Sequence, residues 1–134
     1  MDVDNKVYRV SAKALIQDPN GRFLLVFEKK GVWELSGGGI EQGETPQETI
    51  KREVKEECGF DVESVSSVPS YVWTAGPTPK GTWVMILLYQ TTLKQMNFVP
   101  SDEAVEYRFF SPEEISNLPL DPSIKKLPDL LQKK

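Results

Sequence analysis

Three glutamates lie within five positions of one acidic segment, residues 52–59 (REVKEECG). They are Glu53, Glu56 and Glu57, and the segment ends at Gly59. Carboxylate oxygens are the ligands that hard divalent cations such as Mg²⁺ prefer, and a positioned carboxylate can also act as a general base. The segment can do either kind of chemistry if its acidic side chains share one surface.

A helix would bring these acids to one side. Thr45, Pro46 and Glu48 form the pattern of a capping box with a proline in the first turn, and Gly59 suits the left-handed residue that ends a helix. A turn of about 100° per residue then separates three sectors. The apolar sector holds Ile50, Val54 and Cys58, the basic sector Lys51, Arg52 and Lys55, and the acidic sector Glu53, Glu56 and Glu57. The acidic sector adjoins the apolar one, so we expect it at the edge of the core.

The location of this acidic sector decides how much free energy the repulsion between its like charges costs. On a fully hydrated helix face a pair of like charges costs only a few tenths of a kcal/mol, so a solvated acidic stripe is one interpretation. At a partly buried edge, with an effective dielectric constant near 20, each pair about 5.5 Å apart costs about 3 kcal/mol. A bound divalent cation would offset that repulsion. The helix alone leaves both interpretations open.

The residues before the helix extend the pattern. Gly38, five residues, Glu44, seven residues and then segment 52–60 reproduce G-x5-E-x7-R-E-U-x-E-E-x-G-U, where U is a bulky apolar residue. This pattern is the Nudix box, and the sequence resembles the Nudix hydrolases. The match is specific because residue types are constrained at many fixed spacings, unlike a lone glycine motif.

The resemblance implies a fold and a reaction. The fold would be an α/β/α sandwich with a mixed β-sheet and a loop-helix-loop metal site, with residues 1–134 as a single domain. The reaction would be Mg²⁺-dependent or Mn²⁺-dependent hydrolysis of the pyrophosphate bond in a nucleoside diphosphate linked to another moiety, by metal-activated water. The alternative is a catalytically weak nucleotide-binding or regulatory module with the same fold.

The resemblance also assigns roles to the matched positions. Glu53, Glu56 and Glu57 would hold the metal, with the backbone oxygen of Gly38 as a further ligand. The resemblance gives two other matched residues, Arg52 and Glu44, the task of ordering the loop and the acids.

The general base lies outside the pattern in many Nudix proteins. A glutamate on the loop before the last strand assists there as base or as an additional ligand, and this implies Glu103 first and Glu106 second. Because the chain has no histidine, its base must be a carboxylate, a lysine or the hydroxide of a metal-bound water. Members of the family usually have a proline where this chain has Ser36. Serine lacks the fixed backbone φ angle of proline but adds a hydroxyl group.

The residues assigned to substrate binding are Gly38, Gly39, Trp73 and Lys80. Tyr71, Trp73 and Trp83 flank a loop with two prolines and two glycines, and their rings could stack on a base. Aromatic residues in strands also commonly pack in the core, so the alternative for these rings is structural. Nothing in the sequence specifies the nucleotide.

The remaining elements must position this site. The strand candidates are residues 7–16, 23–27, 32–35, part of 62–73, 83–91 and 107–110. The first two are expected to form a hairpin across the turn at residues 18–21, and the glycine run at residues 37–39 is expected to be a loop. A short helix should begin at residues 111–114, and Pro128 should break or restart a helix in the tail.

The composition of the chain limits the classes of molecule that it is expected to bind. The net charge is −4 and the isoelectric point is about 4.9, so the overall field repels nucleic acid polymers and anionic membranes. The amino terminus lacks the pattern of a secretory signal, and no apolar run is long enough to span a bilayer. We therefore expect a cytoplasmic protein with a small-molecule nucleotide substrate. A homodimer is compatible with the family.

Overall fold

The structure is a computed structural model that describes residues 7–132. The strands are β1 (Tyr8–Leu15), β2 (Phe23–Phe27), β3 (Trp33–Glu34), β4 (Gly37–Gly39), β5 (Asp61–Val65), β6 (Tyr71–Ala75), β7 (Trp83–Gln95) and β8 (Glu106–Phe110). The helices are α1 (Pro46–Cys58), α2 (Leu127–Gln132) and two 3₁₀ helices, Glu114–Asn117 and Pro122–Ile124. Among the described residues, no helix is long and apolar enough to cross a membrane.

The strands form two sheets. The larger one has the order β4-β1-β7-β5, with β6 also paired to β7, and its β1–β7 pair is parallel while its other pairs are antiparallel. The smaller one has the order β3-β2-β8 and is antiparallel. The predicted α/β fold with a mixed sheet is therefore confirmed.

Side chains of β1 alternate between two cores, as the two-residue period of a strand requires. Ala12 and Ala14 pack with the apolar side of α1, whereas Leu15 packs with apolar residues of the 3₁₀ helices and α2. Helical elements thus cover both faces of the larger sheet, which is the layered arrangement expected of a sandwich.

The predicted hairpin is wrong. The first two strands belong to different sheets and are joined by an isolated bridge between Gln17 and Phe23. The turn itself forms as its residues suggest, because the Asp18 carboxylate accepts the backbone N–H groups of Asn20 and Arg22, each at 2.9 Å. The turn was correctly predicted from its own residues, but the strands with which β1 and β2 pair were not.

The glycine run is a strand and not a loop. Gly37, Gly38 and Gly39 pair antiparallel with Lys13, Ala12 and Ser11 of β1. Gly37 has a φ of 137°, and a Cβ atom there would collide with the backbone of Ala12. Only glycine permits this close approach, which fixes the residues before α1 to the sheet.

The helix α1 forms as its sequence predicts. The Thr45 hydroxyl accepts the Glu48 N–H at 3.1 Å, the Glu48 carboxylate accepts the Thr45 N–H at 2.9 Å, and Gly59 ends the helix at a φ of 75°.

The helix predicted after residues 111–114 is a 3₁₀ helix, Glu114–Asn117. Pro128 occupies the first turn of α2, where a missing N–H is tolerated.

Candidate active site

Three carboxylates converge where α1 meets the loop before β8. One carboxylate oxygen from each of Glu53, Glu57 and Glu103 lies within 4.8 Å of the other two. Glu53 and Glu57 are one turn apart on α1, so their side chains project from the same face. We call Glu53, Glu57 and Glu103 the carboxylate cluster.

The loop that carries Glu103 is tied to the rest of the protein. The Ser101 hydroxyl donates to the backbone oxygen of Glu57 at 2.8 Å, at the end of α1. The Lys29 N–H donates to the backbone oxygen of Asp102 at 2.8 Å, and Ala104 is fully buried. Backbone and core contacts on both sides of Glu103 therefore hold its side chain against α1.

Glu57 is the most deeply buried member of the carboxylate cluster. It is 7 % exposed, and its Oε1 accepts the Ser36 hydroxyl at 2.8 Å and the Gly37 N–H at 3.2 Å. Burial raises the pKa of Glu57 to about 9, against the opposing attraction of Lys13. A buried carboxylate beside two others needs a proton or a cation to offset its charge. An all-oxygen donor set of this kind fits a hard divalent cation.

Arg52 connects Glu53 to the loop before α1. Its Nε and Nη2 donate to the two carboxylate oxygens of Glu44 at 2.8 and 2.9 Å, and its Nη1 donates to Glu53 Oε1 at 2.8 Å. Glu44 also accepts the Glu41 N–H at 3.1 Å and the Thr49 hydroxyl at 2.8 Å. Hydrogen bonds from Arg52 lower the pKa of Glu44 to about 2. Arg52 thus joins Glu44, in the loop before α1, to Glu53 on the helix.

Gly38 makes room for Glu53. A Cβ atom on Gly38 would lie 2.7–3.0 Å from the carboxylate atoms of Glu53, which is closer than van der Waals contact allows. A Cβ atom on Gly39 would meet only the guanidinium of Arg9, at 2.9 Å. A side chain on the first glycine of the pattern would therefore displace the Glu53 carboxylate, an acid of the carboxylate cluster.

Glu56 lies at the rim of this site. Its side chain is 60 % exposed, and its Oε2 is 3.7 Å from Arg52 Nη1. It lines a surface groove of about 230 Å³ together with Glu57 and Glu103. The structure thus brings together two of the three helix glutamates and Glu103, and places Glu56 just outside the carboxylate cluster.

The other predicted site residues lie elsewhere. Trp73 is 6 % exposed and its indole N–H donates to the Ser123 backbone oxygen at 2.8 Å, so stacking of this ring on a substrate conflicts with its place in the core. Lys80 is exposed in the β6–β7 loop. Glu106 Oε2 is 3.4 Å from Arg108 Nε at the start of β8.

Sequence analysis missed the contacts of Lys13 and did not predict those of Ser36. Lys13 Nζ donates to the backbone oxygens of Leu35 and Gly37, each at 3.3 Å, and lies 3.9 Å from Glu34 Oε2. Burial raises the pKa of Glu34 to about 7, against the attraction of Lys13. The available signal for this buried pair was a lysine placed between two alanines, Ala12 and Ala14, in a strand.

Comparison with known proteins agrees with this architecture. The sequence model of the NUDIX domain matches residues 7–131. A putative 8-oxo-dGTP diphosphatase 3 of Mycobacterium tuberculosis is 30 % identical over 69 % of this chain and 43 % of the relative. The nucleoside triphosphatase NudI of Salmonella schwarzengrund is 29 % identical over 64 % of this chain and 66 % of the relative. The chain thus spans less than half of the first relative and just under two thirds of the second.

Solved structures show the same fold. The solution structure of the E. coli ORF135 protein has a TM-score of 0.78 at 20 % identity, covering 96 % of this chain and 91 % of that one. The crystal structure of a MutT protein from Methanosarcina mazei Go1 has a TM-score of 0.73 at 23 % identity, covering 96 % of both chains. These likenesses show the fold, and the domain match over residues 7–131 shows that the chain belongs to the NUDIX domain family.

Proposed function

We propose that this protein is a divalent-cation-dependent pyrophosphohydrolase acting on a nucleoside diphosphate linked to another moiety. The observation that carries the proposal is the carboxylate cluster, which sits on the helix and loop of a NUDIX domain. Two relatives are named as a diphosphatase and a nucleoside triphosphatase. Nucleoside triphosphates, including oxidised ones, are therefore the first substrates to test.

Each acid would have its own task at the cation site. The carboxylate cluster would hold Mg²⁺ or Mn²⁺, with Glu56 at the rim and the backbone oxygen of Gly38 as a further ligand. When bound, the cation would neutralise pyrophosphate charge and lower the pKa of an attacking water. Arg52 keeps Glu53 oriented through its hydrogen bond at 2.8 Å. Glu103 is the exposed member of the carboxylate cluster, so its carboxylate can take a proton from water and pass it to solvent.

The organic half of the substrate has room next to the carboxylate cluster. A cavity of about 460 Å³ is lined by Glu103, Glu28 and Lys30, and a second of about 610 Å³ by Lys30, Thr78 and Asp121. Their sizes are typical of ligand sites, and Lys30 borders both. We place the phosphates near Gly38, Gly39 and the carboxylate cluster, with the remaining group along these cavities towards the β6–β7 loop that carries Lys80.

A substrate screen tests this function. Purified protein is incubated with nucleoside triphosphates, oxidised nucleotides, ADP-ribose, nucleotide sugars and dinucleoside polyphosphates, with Mg²⁺ or with a chelator. We expect Mg²⁺-dependent hydrolysis of a pyrophosphate bond in at least one class, giving a nucleotide together with either pyrophosphate or the phosphorylated second moiety. This turnover should be reduced by about 10²-fold or more in Glu57→Gln. Turnover of none of these compounds would reject the proposal, and tight binding without turnover would assign a nucleotide-binding module instead.

A further inference from the structure

Ser36 contacts the carboxylate cluster from inside the protein. It lies between β3 and β4 and is 1 % exposed. Its hydroxyl donates to Glu57 Oε1 at 2.8 Å, and the next backbone N–H, from Gly37, donates to the same oxygen at 3.2 Å. Two donors from adjacent residues therefore converge on one oxygen of the most buried acid.

These donors are themselves held by the larger sheet. The Ala14 N–H donates to the Ser36 backbone oxygen at 2.9 Å, and Gly37 pairs with Lys13 across β1 and β4. Sites built on strands keep their geometry better than sites on free loops. The two hydrogen bonds thus restrict rotation of the Glu57 carboxylate, and both of them use Oε1 and neither uses Oε2.

We propose that Ser36 is a positioning residue for the cation site, whose hydroxyl orients Glu57 so that one carboxylate oxygen faces the carboxylate cluster. This inference rests on the proposed function, because the cation is what the oriented oxygen would bind. Residues that hydrogen bond to metal ligands orient those ligands, and their loss lowers metal affinity or activity by about 10–100-fold. Ser36 reaches the cation only through Glu57 and does not touch the substrate.

The test compares Ser36→Ala with a control that loses a similar buried hydroxyl. Thr91 is 1 % exposed and its hydroxyl donates to the Tyr89 backbone oxygen at 2.9 Å, so Thr91→Val removes a buried hydroxyl bonded locally within β7. Binding of Mn²⁺ alone is measured by isothermal titration calorimetry, and folding of each variant by circular dichroism. We expect Ser36→Ala to bind Mn²⁺ about 10–100-fold more weakly, and Thr91→Val to bind it like the wild type.

Kinetics provide a second measurement. In Ser36→Ala the Mg²⁺ concentration for half-maximal hydrolysis should rise by about the same factor as the Mn²⁺ dissociation constant, with turnover partly restored at saturating Mg²⁺. Ser36→Thr keeps the hydroxyl and should restore the affinity for Mn²⁺ if the added methyl group is accommodated. A loss of folding stability alone would not shift the Mg²⁺ dependence of the folded enzyme.

Four outcomes would overturn the proposal. If Ser36→Ala is folded and binds Mn²⁺ like the wild type, Ser36 does not position Glu57, while the proposed function is unaffected. If Thr91→Val weakens Mn²⁺ binding equally, or if Ser36→Ala does not fold, the role of the hydroxyl is structural. If the wild-type protein neither binds Mn²⁺ nor hydrolyses a nucleotide, the proposed function fails and this inference fails with it.

Discussion

The three acids of the carboxylate cluster differ in their access to water and in their hydrogen-bond partners. Glu57 is buried with two donors on one oxygen, whereas the Glu53 side chain is 17 % exposed and is held by Arg52. Glu103 is exposed on its loop. Environment sets the tasks of chemically similar carboxylates, so these acids are expected to differ in function. Glu57 suits a fixed ligand, and Glu103 suits a proton acceptor that also contacts the cation.

At Glu103, replacement by glutamine tests this double role. We expect Glu103→Gln to lower turnover by about 10²–10⁴-fold, the range for loss of a general base, and also to weaken Mn²⁺ binding because the carboxylate belongs to the cluster. Calorimetry and steady-state kinetics measure the two effects. Glu106→Gln is the matched control, since Glu106 pairs with Arg108. Unchanged turnover in Glu103→Gln would remove Glu103 from the mechanism.

The close approach of Gly38 to Glu53 gives a second prediction. Ala in place of Gly38 puts a methyl group 2.7–3.0 Å from the Glu53 carboxylate, so this acid must move away from the carboxylate cluster. We expect weaker Mn²⁺ binding in Gly38→Ala by about tenfold or more, with the fold retained. In the control Gly39→Ala the methyl group meets the flexible Arg9 side chain and binding should persist. Equal affinities in the two variants would contradict this account.

The spacing of residues in the sequence predicted the part of the site that lies on α1 and on the residues next to it. Glu53, Glu57, Arg52 and Glu44 follow a fixed local pattern, and the geometry places them accordingly. The contacts of Ser36 depend on the pairing of β4 with β1, which local sequence does not encode. Trp73, Glu56 and Lys13 show the same limit, because burial is decided by the whole fold.

At the scale of elements, α1 was predictable and the strand partners were not. Its capping box and final glycine are local signals that specify both ends of the helix. Strand pairing is a long-range choice, and β1 takes β7 as a parallel partner 75 residues further along the chain, as in the pair Tyr8–Trp83. For that reason the turn at residues 18–21 connects two sheets, although its sequence is equally typical of a hairpin.

The stability that the Arg52–Glu44 ion pair gives to the link between α1 and the preceding loop should depend on pH. The folded pKa of Glu44 is about 2 and its ordinary value is 4.5, so its stabilising contribution is fully present above pH 4.5 and is lost as pH falls towards 2. Glu44→Gln lacks this titration. We expect the wild type to melt at a higher temperature than Glu44→Gln at pH 7, with the difference shrinking at pH 3. A difference that stays constant between pH 7 and pH 3 would show that the Arg52–Glu44 ion pair does not stabilise the fold.

In the molecule as a whole, charged side chains are not evenly matched with side chains of opposite charge. The net charge is −4, and the larger sheet holds Lys13 buried beside Glu34 while the carboxylate cluster concentrates three acids at one edge. Acids held this close together either repel one another or, as at Glu57, take up a proton, so the folded state without a cation is less stable than its packing allows. Anything that binds this site in the folded state alone must stabilise the whole domain.

Addition and removal of metal should therefore change the melting temperature of the entire protein. At a Mn²⁺ concentration 100-fold above its dissociation constant, linkage adds about 2.7 kcal/mol to the free energy of unfolding. In a chain of this length that corresponds to an increase of about 10 °C, measured by differential scanning calorimetry and reversed by a chelator. Glu53→Gln/Glu57→Gln should show no increase, and NaCl of equal ionic strength should not reproduce the wild-type effect. A Mn²⁺-induced increase that persists in the double variant would place the bound cation elsewhere, because both helix glutamates of the carboxylate cluster are absent from it.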